Sequence, residues 1–161
     1  MISTTAHPFS TTHERSGATT VRLLIIGCGN PMIGDDGIGP HIAETVATWD
    51  RPGVRSLSCH QLTPECAAEL ATATETIFID AAPHTTHIEL QPLEATAEES
   101  YSAGRPLTPQ SLLSLTQSAY GHTPTAWLLT VPAAQFSLGR RLSPLALKGE
   151  KSALKLLRGL A

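Results

Sequence analysis

Aromatic side chains are scarce: two Trp, two Tyr and three Phe make up 4% of the 161 residues. A core with so few rings has to be built from Leu, Ile, Val and Ala within an apolar share of 41%, which suits a sheet covered by helices. Basic charge is not in excess. The formal net charge is -3, so the chain carries no electrostatic footprint for nucleic acid or an anionic membrane surface. No apolar run approaches the ~20 residues that a membrane-spanning helix needs. Cysteine is limited to Cys28, Cys59 and Cys66, an odd number with no C-x-x-C pair. That argues against a disulfide scaffold and fits a reducing, cytoplasmic setting. Residues 1–20 are rich in Ser, Thr and His and lack the apolar stretch of a secretory signal. They read as a flexible tail in which His7 and His13 are solvated side chains rather than ligands. Residues 21–161 have the length of one domain around one core.

What is present is an alternation of strands and helices. Val21 to Ile26 is apolar without alternation, the pattern of a strand buried on both faces. A glycine-rich loop follows, and from Ile38 to about Trp49 apolar residues recur at helical spacing, with Pro40 tolerated in the first turn. Val54 to His60 reads as a second strand, and Pro64 begins a helix carrying Cys66, Ala67, Leu70 and Ala71. Thr76 to Ile79 is a further buried strand that ends at Asp80-Ala81-Ala82-Pro83. Ile88 to Leu93 alternates like an edge strand, and 95–106 is loop-like. Thr108 is a candidate N-cap for a helix through Leu112, Leu113 and Leu115. Ala126 to Val131 is another buried strand, and Ser143-Pro144 opens a final amphipathic helix to about Leu157. The expected fold is therefore α/β: a three-layer sandwich with a mostly parallel, twisted sheet of about five strands and helices on both faces.

In such sheets ligands sit outside the carboxyl ends of the strands. That rule selects the turns after the first strand and after the Ile77–Ile79 strand, and both carry aspartates. Between Gly27 and Gly39 the first turn packs five glycines and the adjacent acids Asp35 and Asp36. Glycines allow positive φ and let a ligand approach the main chain. Acids at a helix opening also simply suit its dipole, and an aspartate such as Asp80 at a strand end also serves as a loop cap. A dinucleotide site does not fit the spacing, because the third glycine of G-x-G-x-x-G would fall at Met32. His60 and Gln61 stand where an acid should hold the ribose. No G-K-[ST] follows the glycines, which excludes a P-loop. Cys28 has no evident histidine partner, and its plain reading is a small residue packed beneath the loop.

Together these residues give the chain a resemblance to the hydrogenase maturation endopeptidases, over nearly all of Val21 to Leu157. The block from Gly27 to Gly39 looks like that family's G-x-G-N-x-x-x-x-D-[DE]-x-x-G signature. Gln61 to Glu65, Ile79-Asp80-Ala81, Leu107-Thr108-Pro109 and Phe136 to Gly139 leading to Leu142-Ser143-Pro144 resemble its later blocks. These later blocks most resemble the branch serving cytoplasmic, pyridine-nucleotide-linked hydrogenases. The resemblance implies an endopeptidase that removes the C-terminal extension of a nickel-iron hydrogenase large-subunit precursor once nickel is inserted. Its two metal-binding, catalytic carboxylates fall on Asp36 and Asp80. It implies nickel brought by the substrate precursor, with weak or absent binding in the free protein.

The family's third ligand is a histidine two residues before a leucine, and here that position holds Arg105. A guanidinium stays protonated and has no lone pair for a cation. Near Asp36 and Asp80 it is expected to pair with the carboxylates in the metal's stead. Three readings follow: weak nickel binding through Asp36 and Asp80 aided by His84 or His87, recognition of the loaded precursor through an altered surface, or a degenerate relative that binds the large subunit without cutting. His84 and His87 read more simply as solvated loop residues, and His122, on the far side of a helix, as unconnected with the site.

Overall fold

A computed structural model describes residues 20–96 and 102–161. The tail expected over 1–20, with His7 and His13, lies outside the described residues except for Thr20, as does part of the expected 95–106 loop. In chain order the elements are β1 (Val21–Cys28), α1 (Ile38–Ala47), β2 (Val54–Cys59), α2 (Cys66–Ala71), β3 (Ala73–Pro83), β4 (Glu89–Leu93), α3 (Pro109–Tyr120), β5 (Thr125–Ala133) and α4 (Pro144–Leu160). A short 3-10 turn, Gly34–Gly37, leads into α1.

The strands form one sheet in the order β2-β1-β3-β5-β4. β2, β1, β3 and β5 are parallel, and β4 runs antiparallel along the edge of β5. The expected α/β sandwich is the observed one. Its layers follow from the unbroken apolar runs. In β1, Leu23 and Ile25 face α1 and α4, while Leu24 and Ile26 face α2 and α3. Ile38, Ile42 and Val46 of α1 and Ala146, Ala153 and Leu157 of α4 close the first face. Ala67 and Leu70 of α2 and Leu112 and Leu113 of α3 close the second, against Phe78 and Ala126. Pro92 sits on the edge strand β4, where a missing N–H costs least.

Helix ends follow the sequence signals. Thr108 caps α3: its hydroxyl accepts the Ser111 N–H at 3.1 Å, and the Ser111 hydroxyl accepts the Thr108 N–H at 2.8 Å. Gly121 ends α3 at φ 69. Ser143 caps α4 through the Ala146 N–H at 3.1 Å.

Several boundaries differ from expectation: α2 starts at Cys66 and not at Pro64, and β1, β5 and α4 run on to Cys28, Ala133 and Leu160. α1 stops at Ala47, because the chain turns at Thr48 and Trp49 and reverses at Asp50, whose φ is 47. β3 does not end before Asp80. It stays paired with β5 through Asp80↔Thr130, Ala81↔Val131, Ala82↔Pro132 and Pro83↔Ala133, held by the buried row Leu129, Val131 and Ala133. Asp80 is thus a strand residue and not a turn residue. No described helix is long and apolar enough to cross a membrane.

Candidate active site

The chain crosses from β1 through α1 to β2 on one side, and β2 then connects through α2 to β3 on the other side of β1. Connections that diverge in this way leave a crevice outside the carboxyl ends of β1 and β3, the place where open α/β sheets bind ligands. A cavity of about 450 Å³ occupies it. Cys28 of β1, Phe78 and Asp80 of β3 and Leu128 of β5 form its floor. Asp36, the β2–α2 loop from His60 to Pro64 and the segment from Arg105 to Leu107 form its walls.

The glycines make the β1–α1 turn possible. Gly29 has φ 146, and a Cβ there would collide with the Asp36 carbonyl oxygen. At Gly27 a Cβ would collide with the Gly39 carbonyl, so the start of α1 lies directly on β1. This close packing turns Asp36 back over the strand end. Its Oδ2 accepts the Asn30 N–H at 2.7 Å, while Asn30 Oδ1 accepts the Met32 N–H at 2.9 Å.

Asp80 reaches the same space because alternation along β3 puts it on the α2/α3 face with Phe78. Its Oδ1 accepts the neighbouring Ala81 N–H at 2.9 Å. The carboxylate meets solvent in the cavity, yet protein crowds it. Burial pushes its pKa up, the Ala81 N–H works against that, and the charge of Asp36 adds to the rise. Asp36 and Asp80, 44 positions apart in sequence, thus line one cavity, and the charge of Asp36 reaches Asp80.

Asp35 does something different. It is fully buried and faces away from this cavity. Its Oδ1 accepts the Ser143 N–H at 2.7 Å, and its Oδ2 accepts the Ala134 N–H at 2.8 Å, the Gln135 N–H at 3.0 Å and the Ser143 hydroxyl at 2.6 Å. Burial alone would raise its pKa, but these donors outweigh it and hold the carboxyl below the usual range. It ties the glycine-rich turn to the end of β5 and the start of α4. Nothing in the sequence marked Ser143 as its partner.

Arg105 lines the cavity as expected from its position, but it does not pair with the carboxylates. The ion pairs among the described residues are His41–Glu150 and Arg55–Glu69. His84 and His87 do not line the cavity, since β3 carries the chain past Asp80 before the turn that holds them. His87 contacts Thr86 at 3.3 Å. His122 contacts the Ala73 carbonyl at 3.2 Å, at the opposite end of β3. Among the described residues no three His, Cys, Asp or Glu side chains are arranged to hold a metal ion.

Two features were not foreseen. His60 is exposed on the cavity wall. Cys28 has a partner: it pairs in register with Cys59 across β1 and β2, with the sulfurs 2.9 Å apart. Their shared hydrogen bond lowers the pKa of Cys59, and the same bond, with burial, raises that of Cys28.

No family model and no curated protein matches the sequence, but solved structures resemble its fold. The chain resembles the NiFe hydrogenase maturation protease HycI of Thermococcus kodakarensis KOD1 with a TM-score of 0.67 at 22% identity, covering 86% of this chain and 91% of that one. The hydrogenase maturating endopeptidase HybD of E. coli gives 0.68 at 19% identity, covering 86% and 91%. HybD of Thermococcus kodakarensis gives 0.68 at 19%, covering 87% and 99%. At these identities the likeness is one of fold.

Proposed function

We propose that this chain is a cytoplasmic hydrogenase maturation endopeptidase that removes the C-terminal extension of a nickel-iron hydrogenase large-subunit precursor after nickel insertion. The observation that carries this reading is the meeting of Asp36 and Asp80 in the switch-point cavity, in a fold shared with maturation proteases. A carboxylate whose pKa is raised by burial and by the charge of a second one beside it is suited to a divalent cation. Two oxygen ligands, with no third among the described residues, fit an ion that arrives in the precursor with ligands of its own. In this reading nickel belongs to the substrate. Asp36 and Asp80 would bind and orient the loaded centre, and the substrate's nickel would supply the means to position or polarise the peptide to be cut. The rest of the cavity accepts chain: Leu62, Phe78, Leu107 and Leu128 give it an apolar lining.

Arg105 favours a second reading, a binding module for the large subunit that does not cut. It stands where the resemblance gives a ligand histidine, yet it leaves both carboxylates unpaired. One experiment separates the two. The chain is incubated with nickel-loaded and nickel-free precursor, and the precursor's mass is followed. Loss of the C-terminal extension from the loaded form alone is expected. A stable complex with an uncut, loaded precursor would establish the binding module instead.

A further inference from the structure

Beside the carboxylates lies a group of side chains that the proposed hydrolysis does not use. Cys28 and Cys59 end two neighbouring parallel strands in direct register. Strands so paired run ~4.8 Å apart, inside the ~4.4–6.8 Å span between Cα atoms that a disulfide bridges. Both side chains are half-buried on the α2/α3 face, and their sulfurs already touch at 2.9 Å. Cys66 is nearby at the start of α2, but its sulfur is directed to the Thr63 hydroxyl at 3.7 Å. The cavity gives small molecules access to Cys28, and Cys59 is itself partly exposed.

We propose that Cys28 and Cys59 form a peroxide-sensitive dithiol, which closes to an intramolecular disulfide at the edge of the cavity floor. The proposal is independent of the peptidase reading. The thiolate of Cys59 attacks one oxygen of hydrogen peroxide, so that an S–O bond forms, the O–O bond breaks, and hydroxide leaves and takes a proton to become water. Cys28 then attacks the resulting sulfenic sulfur. The S–S bond forms, the S–O bond breaks and a second water departs with the Cys28 proton. Two thiols are oxidised and one peroxide is reduced to two waters. The order of attack follows from the shared hydrogen bond, which favours the thiolate at Cys59 and the proton at Cys28. Closure fixes the start of the His60–Pro64 wall covalently to the end of β1, beside Asp80.

The test uses the full reduced chain, treated with hydrogen peroxide near equimolar, then denatured and alkylated. The expected product is a monomer with one alkylated thiol instead of three, restored to three by a reductant. Trypsin leaves Cys59 and Cys66 on one peptide, so a glutamate-specific protease is added to cut after Glu65. The bridge should then join the Cys28 peptide to the Cys59 peptide. In Cys28→Ser, a sulfenic-acid trap should label Cys59. Three free thiols after peroxide, a bridge that includes Cys66, or a disulfide-linked dimer would each overturn the proposal, and the wild-type mapping decides even if the variant does not fold.

Discussion

Asp35 and Asp36 are neighbours in the chain and opposites in the structure. Asp35 is sealed in the protein with four hydrogen bonds, from Ala134, Gln135 and Ser143, and its pKa is lowered. Asp36 opens to the cavity, takes one backbone N–H, and raises the pKa of Asp80 by its charge. A carboxylate surrounded by fixed donors stabilises the fold. A carboxylate crowded by burial, with a second charge beside it, works against the fold at neutral pH, as Asp80 does.

The largest expected effect is at the anchor. Asp35→Ala strands the Ser143, Ala134 and Gln135 donors in a dry setting and should cost about 3–5 kcal/mol, read as a fall in the urea midpoint. An unchanged midpoint would remove the distinction between the two acids. In the wild type this contribution is present above the unfolded carboxyl pKa of about 3.9 and is lost as pH falls through the lowered folded value. Asp35→Asn should therefore flatten the acid limb of the stability profile.

At the cavity the first effect is on metal. The isolated chain should give only weak, unsaturated heats with nickel in calorimetry, and Arg105→His, by adding an imidazole beside two carboxylates, should tighten binding by roughly tenfold. Tight stoichiometric uptake by the wild type would point to a further ligand and break the picture of an ion held by the substrate. The smallest effect should be at Asp80. Its folded pKa is raised, so its favourable contribution is present below the unfolded pKa and disappears as pH rises through the folded one. Asp80→Asn should consequently raise the melting temperature slightly at neutral pH and not at pH 3. Destabilisation at pH 7 would show that Asp80 is a structural residue like Asp35.

Much of this was legible in the sequence, for particular reasons. The unbroken apolar runs of β1 and β5 announced strands covered on both faces, and Thr108 and Ser143 announced two helix starts. Glycine spacing around Asp36 announced a turn in which backbone meets backbone. Long-range partners were another matter. The anchoring of Asp35 depends on Ser143, 108 positions away, and the meeting of Cys28 with Cys59 depends on strand register, which a sequence does not state. The extension of β3 through Asp80 was hidden because Asp80-Ala81-Ala82-Pro83 reads like a turn, and only pairing with β5 makes it strand. Arg105 was read correctly as a cavity neighbour but not as an unpaired one, since a guanidinium's reach depends on the loop that carries it.

The most direct measurement is cleavage of the nickel-loaded large-subunit precursor by Asp36→Asn beside the wild type. The substitution keeps the shape and the Asn30 contact while removing one charge. A rate lower by roughly 100-fold or more, with folding intact, is expected. Processing at the wild-type rate would contradict it.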